Sequence, residues 1–201
     1  MASRCRVLIV HLAPPCSTFS QARNRSRHTR LRSAEHLQGL PELSEADSER
    51  TAQANCLAVR SLTLAELTAE LKGVPTMENP LSSYLWDFVK EYEQKDFVDT
   101  SLNQCRFGAA WKKATRWRCW GNSVTELDRQ CSKTSSGLTC GQATHQVLEF
   151  GGASTKTAAA YPTGLARQFV KFLHRAQSEK GHAARGSGVN GRDRRRARSP
   201  S

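Results

Sequence analysis

A chain of 201 residues with 38% hydrophobic residues has room for one domain with a real core, and its formal net charge of +12 favours polyanionic partners, nucleic acid first among them. No run approaches the ~20 apolar residues of a membrane span, which excludes a helical transmembrane protein. Seven cysteines, an odd number with no secretory leader before them, point to a reduced intracellular compartment rather than a disulfide-stapled secreted chain.

RVLIVHLA (6–13) is a continuous apolar, β-branched run that stops at Pro14, the pattern of a buried strand in a parallel sheet. The stretch 21–43 lacks periodicity and carries Arg23, Arg25, Arg27, Arg30 and Arg32, so it reads as a long exposed loop. Residues 44–73 read as a helix with Leu57, Leu64, Leu67 and Leu71 at helical spacing and Gly73 as its stop. VPTMENP (74–80) is predicted to be a short strand ended by Pro80, and 81–94 a second helix with Leu85, Phe88, Val89 and Tyr92 on one face. Residues 95–108 suggest a strand and then a turn at Gly108, and TRWRCWGN (115–122) a further strand alternating aromatic and basic residues. Residues 123–150 are polar and irregular; 161–177 read as an amphipathic helix with Leu165, Phe169, Phe172 and Leu173 on its apolar face. The Gly-, Arg- and Ser-rich remainder, 177–201, reads as a disordered basic tail, leaving 1–176 as the folded unit.

This order of elements predicts an open α/β fold with a mostly parallel sheet and flanking helices, whose ligands bind outside the carboxyl ends of the strands. Cys16 follows the first predicted strand, and Glu78-Asn79-Pro80 closes the second. If these strands are neighbours, both motifs face one crevice. Pro14 and Pro15 stiffen the approach to Cys16, and nearby arginines would favour its thiolate. Taken singly, a cysteine is more often a small buried hydrophobe and a glutamate a surface charge or cap.

Together the motifs resemble a family. APPCSTFS is similar to the Pro-Cys catalytic loop of the cytosine-5 DNA methyltransferases, and MENP resembles that family's Glu-Asn-Val motif, with Pro80 in place of valine. QCRFGAAWKKATRW (104–117) stands where the family has a Gln-x-Arg-x-Arg strand; Gln104 and Arg106 match, and Gly108 replaces the second arginine. The resemblance covers roughly residues 5–175. It implies a partial Rossmann-like, class I methyltransferase-like fold and a DNA substrate whose target base is flipped out of the stack. It makes Cys16 the nucleophile at C6 of cytosine, Glu78 the acid at N3, Asn79 its orienter, and Arg106 a contact to the base carbonyl or to Cys16. Arg23, Arg25, Arg27, Arg30 and Arg32, with Lys112 and Lys113, become candidate phosphate contacts; the arginine run reads equally well as a solvated basic loop.

The implied methyl donor is S-adenosyl-L-methionine, which this family binds on a glycine-rich loop ahead of the Pro-Cys motif. Only fifteen residues precede Cys16, and no glycine precedes Gly39. The expectation is therefore a catalytic portion truncated at its N-terminus. It would leave one sheet edge uncovered, bind no donor alone, and draw on a second chain for the donor half. Rival readings are a non-catalytic basic nucleic-acid-binding protein and a degenerate relic. Cys131, Cys140 and His145, with Cys119 as a fourth ligand, could hold a structural zinc, although their spacing is not of the Cys-x-x-Cys type and ordinary reduced loop side chains are the alternative. RDRRRARSPS is compatible with a nuclear-import signal or a phosphate-binding arm.

Overall fold

The computed structural model describes residues 9–121, 124–148 and 157–186, so the Arg-rich tail beyond 186 and Gly151-Gly152 lie outside the described residues. Four strands form the main sheet: β1 (Ile9–Leu12), β2 (Val74–Pro80), β3 (Val98–Asn103) and β4 (Ala114–Cys119), in spatial order β1-β2-β4-β3. β1 pairs with β2 in parallel, Ile9 opposite Val74 and Leu12 opposite Met77. β4 pairs antiparallel with both β2 and β3. The sheet is thus mixed, with one parallel pair, and the mostly parallel Rossmann-like expectation is wrong. The connection explains it. Parallel neighbours need a crossover of a dozen or more residues, usually a helix. Only residues 104–113 join β3 to β4, and they spend Gln104–Phe107 on a tight 3₁₀ turn closed by Gly108 at φ 96°. β1 and β2 are joined instead through the helix α1 (Glu45–Glu70), which is long enough for the parallel crossover.

Ser44 caps α1: its Oγ accepts from the Asp47 N–H at 3.2 Å, and Glu45 and Asp47 sit in the positively polarised first turn. The face it buries is Ala54, Ala58, Leu62 and Ala65, not the leucine stripe. Leu57, Leu64, Leu67 and Leu71 point outward, 44–68% exposed. Two periodic rows run along this helix. The bulky side chains it meets, among them Met77, Phe88 and Trp120, pack against the row made mostly of alanines, with Leu62 as its one large member. A short helix α2 (Leu85–Val89) completes this core with Leu85, Phe88 and Val89; Tyr92 lies beyond it and is half-exposed.

The other face of the sheet is covered by α3 (Thr163–Gly186), which runs past the predicted boundary at 177. Leu165, Phe169 and Phe172 pack against Val74, Leu102, Trp117 and Cys119. Alternation along β2 puts Val74, Thr76 and Glu78 on the α3 face and Met77 on the α1 face. Gly164 is needed where α3 begins: a Cβ there would stand 2.5 Å from the Phe107 carbonyl oxygen. The described part of 123–150, predicted irregular, contains a 3₁₀ turn at Thr125–Leu127 and a small hairpin, β5 (Lys133–Thr134) with β6 (Gly137–Leu138). No helix among the described residues is long and apolar enough to cross a membrane.

Candidate functional site

β1 and β2 end side by side, and the loop Ala13–Cys16 folds over the end of β2. Asn79 ties the two together, its Nδ2 donating to the Pro14 carbonyl at 2.8 Å. The loop is tightened again where the Phe19 N–H donates to the Cys16 carbonyl at 3.1 Å. Between them lies a cavity of about 200 Å³, lined by Pro14, Pro15, Cys16, Glu78, Asn79, Lys113 and Tyr161, with Ala13, Pro80 and Ala159 at its margin. That is below the ~300–1,000 Å³ of drug-sized sites and on the scale of a single heterocyclic ring.

Burial governs the carboxyl and the thiol in this cavity. Burial pushes the Glu78 carboxyl up from its ordinary range; Lys113 and the hydrogen bond from Tyr161 pull it partly back. Burial likewise raises the Cys16 thiol, Lys113 opposes that, and Glu78 adds to it. Glu78 Oε2 accepts from the Tyr161 hydroxyl at 2.9 Å, whereas Oε1 is buried with no hydrogen-bond partner among the described residues. A protonated Glu78 therefore carries its free O–H at the oxygen that nothing else claims.

Behind Glu78 runs a buried relay that sequence reasoning missed. His11 Nε2 lies 3.0 Å from the Tyr161 hydroxyl, and His11 Nδ1 lies 2.8 Å from Thr76 Oγ1. Burial drops the His11 pKa to about 4, so the ring is neutral. Since Tyr161 spends its proton on Glu78, His11 must donate from Nε2 and accept from Thr76 at Nδ1. The ring is clamped by stacking on Trp117, centroids 4.9 Å apart, and by Phe169 at 4.9 Å. A lone histidine inside the apolar run 6–13 was the available signal. Tyr161, 83 positions from Glu78, had none.

Lys113, taken from sequence as a phosphate contact, lines this cavity, with its ammonium held 2.9 Å from the Ala158 carbonyl. Arg106 is not among the lining residues; its Nε is buried on the turn after β3 with no hydrogen-bond partner among the described residues. The arginine run divides. Arg25, Arg27 and Arg30 are exposed, as is Lys112. Arg27, His28, Arg30 and His36 line a groove of about 520 Å³ whose charge Glu42 and Asp47 partly offset. Arg23 is half-buried, its Nε donating to the Thr29 carbonyl at 2.7 Å. Arg32 is a correction: it is 1% exposed and unavailable to any phosphate. All five of its N–H groups have internal acceptors: Nε donates to the Thr18 carbonyl, Nη1 to the Leu37 carbonyl and Asn55 Oδ1, and Nη2 to Thr18 Oγ1 and the Thr51 carbonyl.

The cysteine cluster is also re-membered. Cys119 sits inside β4, in the core against α3, and is not one of the four ligand groups that converge among the described residues. Cys131, Cys140 and His145 do converge, with Cys105 in the fourth place. Comparison with family models, curated proteins and solved structures finds nothing that matches this chain, so no family membership can be assigned to it by similarity.

Proposed function

We propose that this chain performs covalent catalysis at the 6-position of cytosine in DNA, in the manner of the cytosine-5 methyltransferases that its two motifs resemble. The observation that carries the reading is one small cavity holding the Cys16 thiol, the buried Glu78 carboxyl with a free oxygen, and the Lys113 ammonium.

The Cys16 thiolate adds to C6, forming an S–C6 bond and breaking the C5=C6 double bond. The displaced electron pair moves through C5 and C4 to N3, where Glu78 delivers its proton. C5 becomes the nucleophilic carbon of an enamine. In deuterated water C5 takes a deuteron, then loses its original proton; the double bond reforms, Cys16 leaves, and N3 returns its proton to Glu78. The net change is exchange of the C5 hydrogen, with nothing oxidised or reduced. Lys113 supports the thiolate that burial opposes. The target base leaves its stack to reach so small a cavity, and the exposed Arg25, Arg27 and Arg30 grip flanking phosphates.

The described residues do not fit S-adenosyl-L-methionine. The cavity at Cys16 has the volume of one ring, and no glycine lines it to admit a ligand against backbone. The cavity therefore accounts for the covalent step at C6 and not for delivery of a methyl group. A second chain seated along β1, whose outer edge has no partner strand among the described residues, is the source of donor consistent with this geometry. The rival reading, a non-catalytic basic nucleic-acid binder, is favoured by the net charge of +12.

A donor-free trap separates the two. 2-Pyrimidinone, which lacks the exocyclic amine and is more electrophilic at C6, replaces one cytosine in a duplex. Wild type is expected to give a denaturation-resistant adduct with the summed mass of chain and strand, and Cys16→Ser none. Tight DNA binding without an adduct would leave only the rival reading.

A further inference from the structure

We propose that Cys105, Cys131, Cys140 and His145 form a closed, tetrahedral structural site for a zinc-class divalent ion that fastens the segment 129–146 to the turn after β3. The four ligand atoms all lie within 4.8 Å of one another. His145 Nε2 is 3.6 Å from Cys131 Sγ and 3.4 Å from Cys140 Sγ. With Zn–S bonds of ~2.3 Å and a Zn–N bond of ~2.0–2.1 Å, tetrahedral angles require S–N edges of roughly 3.6 Å and S–S edges of roughly 3.8 Å. The two S–N edges already have this length, and the remaining edges, all within 4.8 Å, close by at most ~1 Å on binding.

The donor chemistry selects the ion. Three thiolates and an imidazole are soft to borderline ligands, suited to zinc and unsuited to magnesium or calcium. Four protein ligands fill the tetrahedron and leave no open position for water or substrate, which makes the site structural rather than catalytic. Binding displaces the thiol protons to solvent, leaving a local charge of −1 from three thiolates and one dication.

The surroundings give the ion a task. Cys105 lies on the Gln104–Phe107 turn; the other three ligands lie in a segment that is exposed over most of its length and whose only regular structure is the hairpin β5–β6. That segment is already guided to the turn by main-chain bonds. Asn103 N–H donates to the Arg129 carbonyl at 3.0 Å, Cys131 N–H to Asn103 Oδ1 at 2.7 Å, and Gln146 N–H to the Ala110 carbonyl at 2.9 Å. With so little apolar surface to bury, a metal is the standard means of holding such a loop. The ligand spacing, 26, 9 and 5 positions apart in order, hides the site from motif reading because Cys105 belongs to a different element from the rest. The assignment stands independently of the methyltransferase reading.

The full chain, purified under reducing conditions without chelator, is expected to carry about one zinc per molecule. Cys131→Ser and Cys140→Ser should each lower that to below about a tenth, while Cys56→Ser and Cys119→Ser keep it. His145→Cys preserves a four-ligand set and guards against loss through misfolding: it should retain zinc. Cobalt in place of zinc should give the intense visible bands of a tetrahedral thiolate site, shifted in His145→Cys. A folded wild-type chain with less than about a tenth of an equivalent of zinc and no tetrahedral cobalt spectrum would overturn the proposal. So would a Cys131–Cys140 disulfide in metal-free protein, or full zinc retention in Cys131→Ser.

Discussion

Glu78→Gln is expected to slow C5-hydrogen exchange by ~10²–10⁴-fold and at the same time to raise the stability of the protein. Glutamine keeps the size of the side chain and the acceptor for Tyr161, but it has no proton to give N3. The stability gain follows from burial. An acid whose folded pKa is raised above its ordinary value of about 4.5 holds its proton more tightly folded than unfolded. Wild type therefore loses stability as pH rises from about 4.5 through that raised value, and the amide does not. The melting curves of wild type and variant should diverge over this window, with the variant the more stable at neutral pH. A carboxylate kept at such a cost is better explained by work at the site than by the fold. Equal stability at all pH values, with unchanged exchange, would reduce Glu78 to an ordinary buried side chain.

Arg32→Ala is expected to lower stability by ~3–5 kcal/mol, enough to unfold much of the population at physiological temperature. The guanidinium lies over the Phe19 ring at 3.7 Å and joins three separated stretches: Thr18 on the Cys16 loop, Leu37, and Thr51 with Asn55 on α1. Burial lowers its pKa only to about 10, so it is charged at neutral pH. Removing it strands the Thr18 carbonyl and hydroxyl oxygens in the interior, in a residue that is 3% exposed, whereas the Thr51 carbonyl keeps its helical donor within α1. Arg32→Lys should recover little, because an ammonium cannot match five acceptors in a fork. Arg25→Ala and Arg27→Ala, on the exposed part of the same loop, should stay within ~0.5 kcal/mol of wild type and should instead weaken DNA binding and flatten its salt dependence. Chemical denaturation of the four variants checks the contrast.

These two residues show where the sequence was legible. β2 over 74–80 and the apolar face of α3 at Leu165, Phe169 and Phe172 followed from local pattern, because burial on one or both faces imprints itself on neighbouring residues. Local pattern places Cys16 and Glu78 at the ends of two predicted strands that would share a crevice if they were neighbours, and the pairing of Ile9 with Val74 makes them so. What failed depended on distant partners. Arg32 looks like its neighbours in sequence, yet its acceptors lie as far off as Asn55. The leucines of α1 repeat as regularly as the row of Ala54, Ala58, Leu62 and Ala65, and which row goes in depends on packing against distant Met77 and Phe88, which local pattern does not carry. Cys119 and Cys105 differ in that one sits within an alternating strand that turns it into the core and the other on a turn. The parallel sheet was the avoidable error: ten residues between β3 and β4 were too few for a crossover.

The proposed bond between Cys16 and C6 of cytosine is read most directly from exchange of the C5 hydrogen for deuterium in a cytosine-containing oligonucleotide, followed by mass spectrometry or proton resonance. It needs no methyl donor. Time-dependent exchange is expected with wild-type protein, lowered at least ~10³-fold in Cys16→Ala while the variant still binds the same oligonucleotide. Exchange that survives the loss of Cys16, or none in folded, DNA-bound wild type, would contradict it.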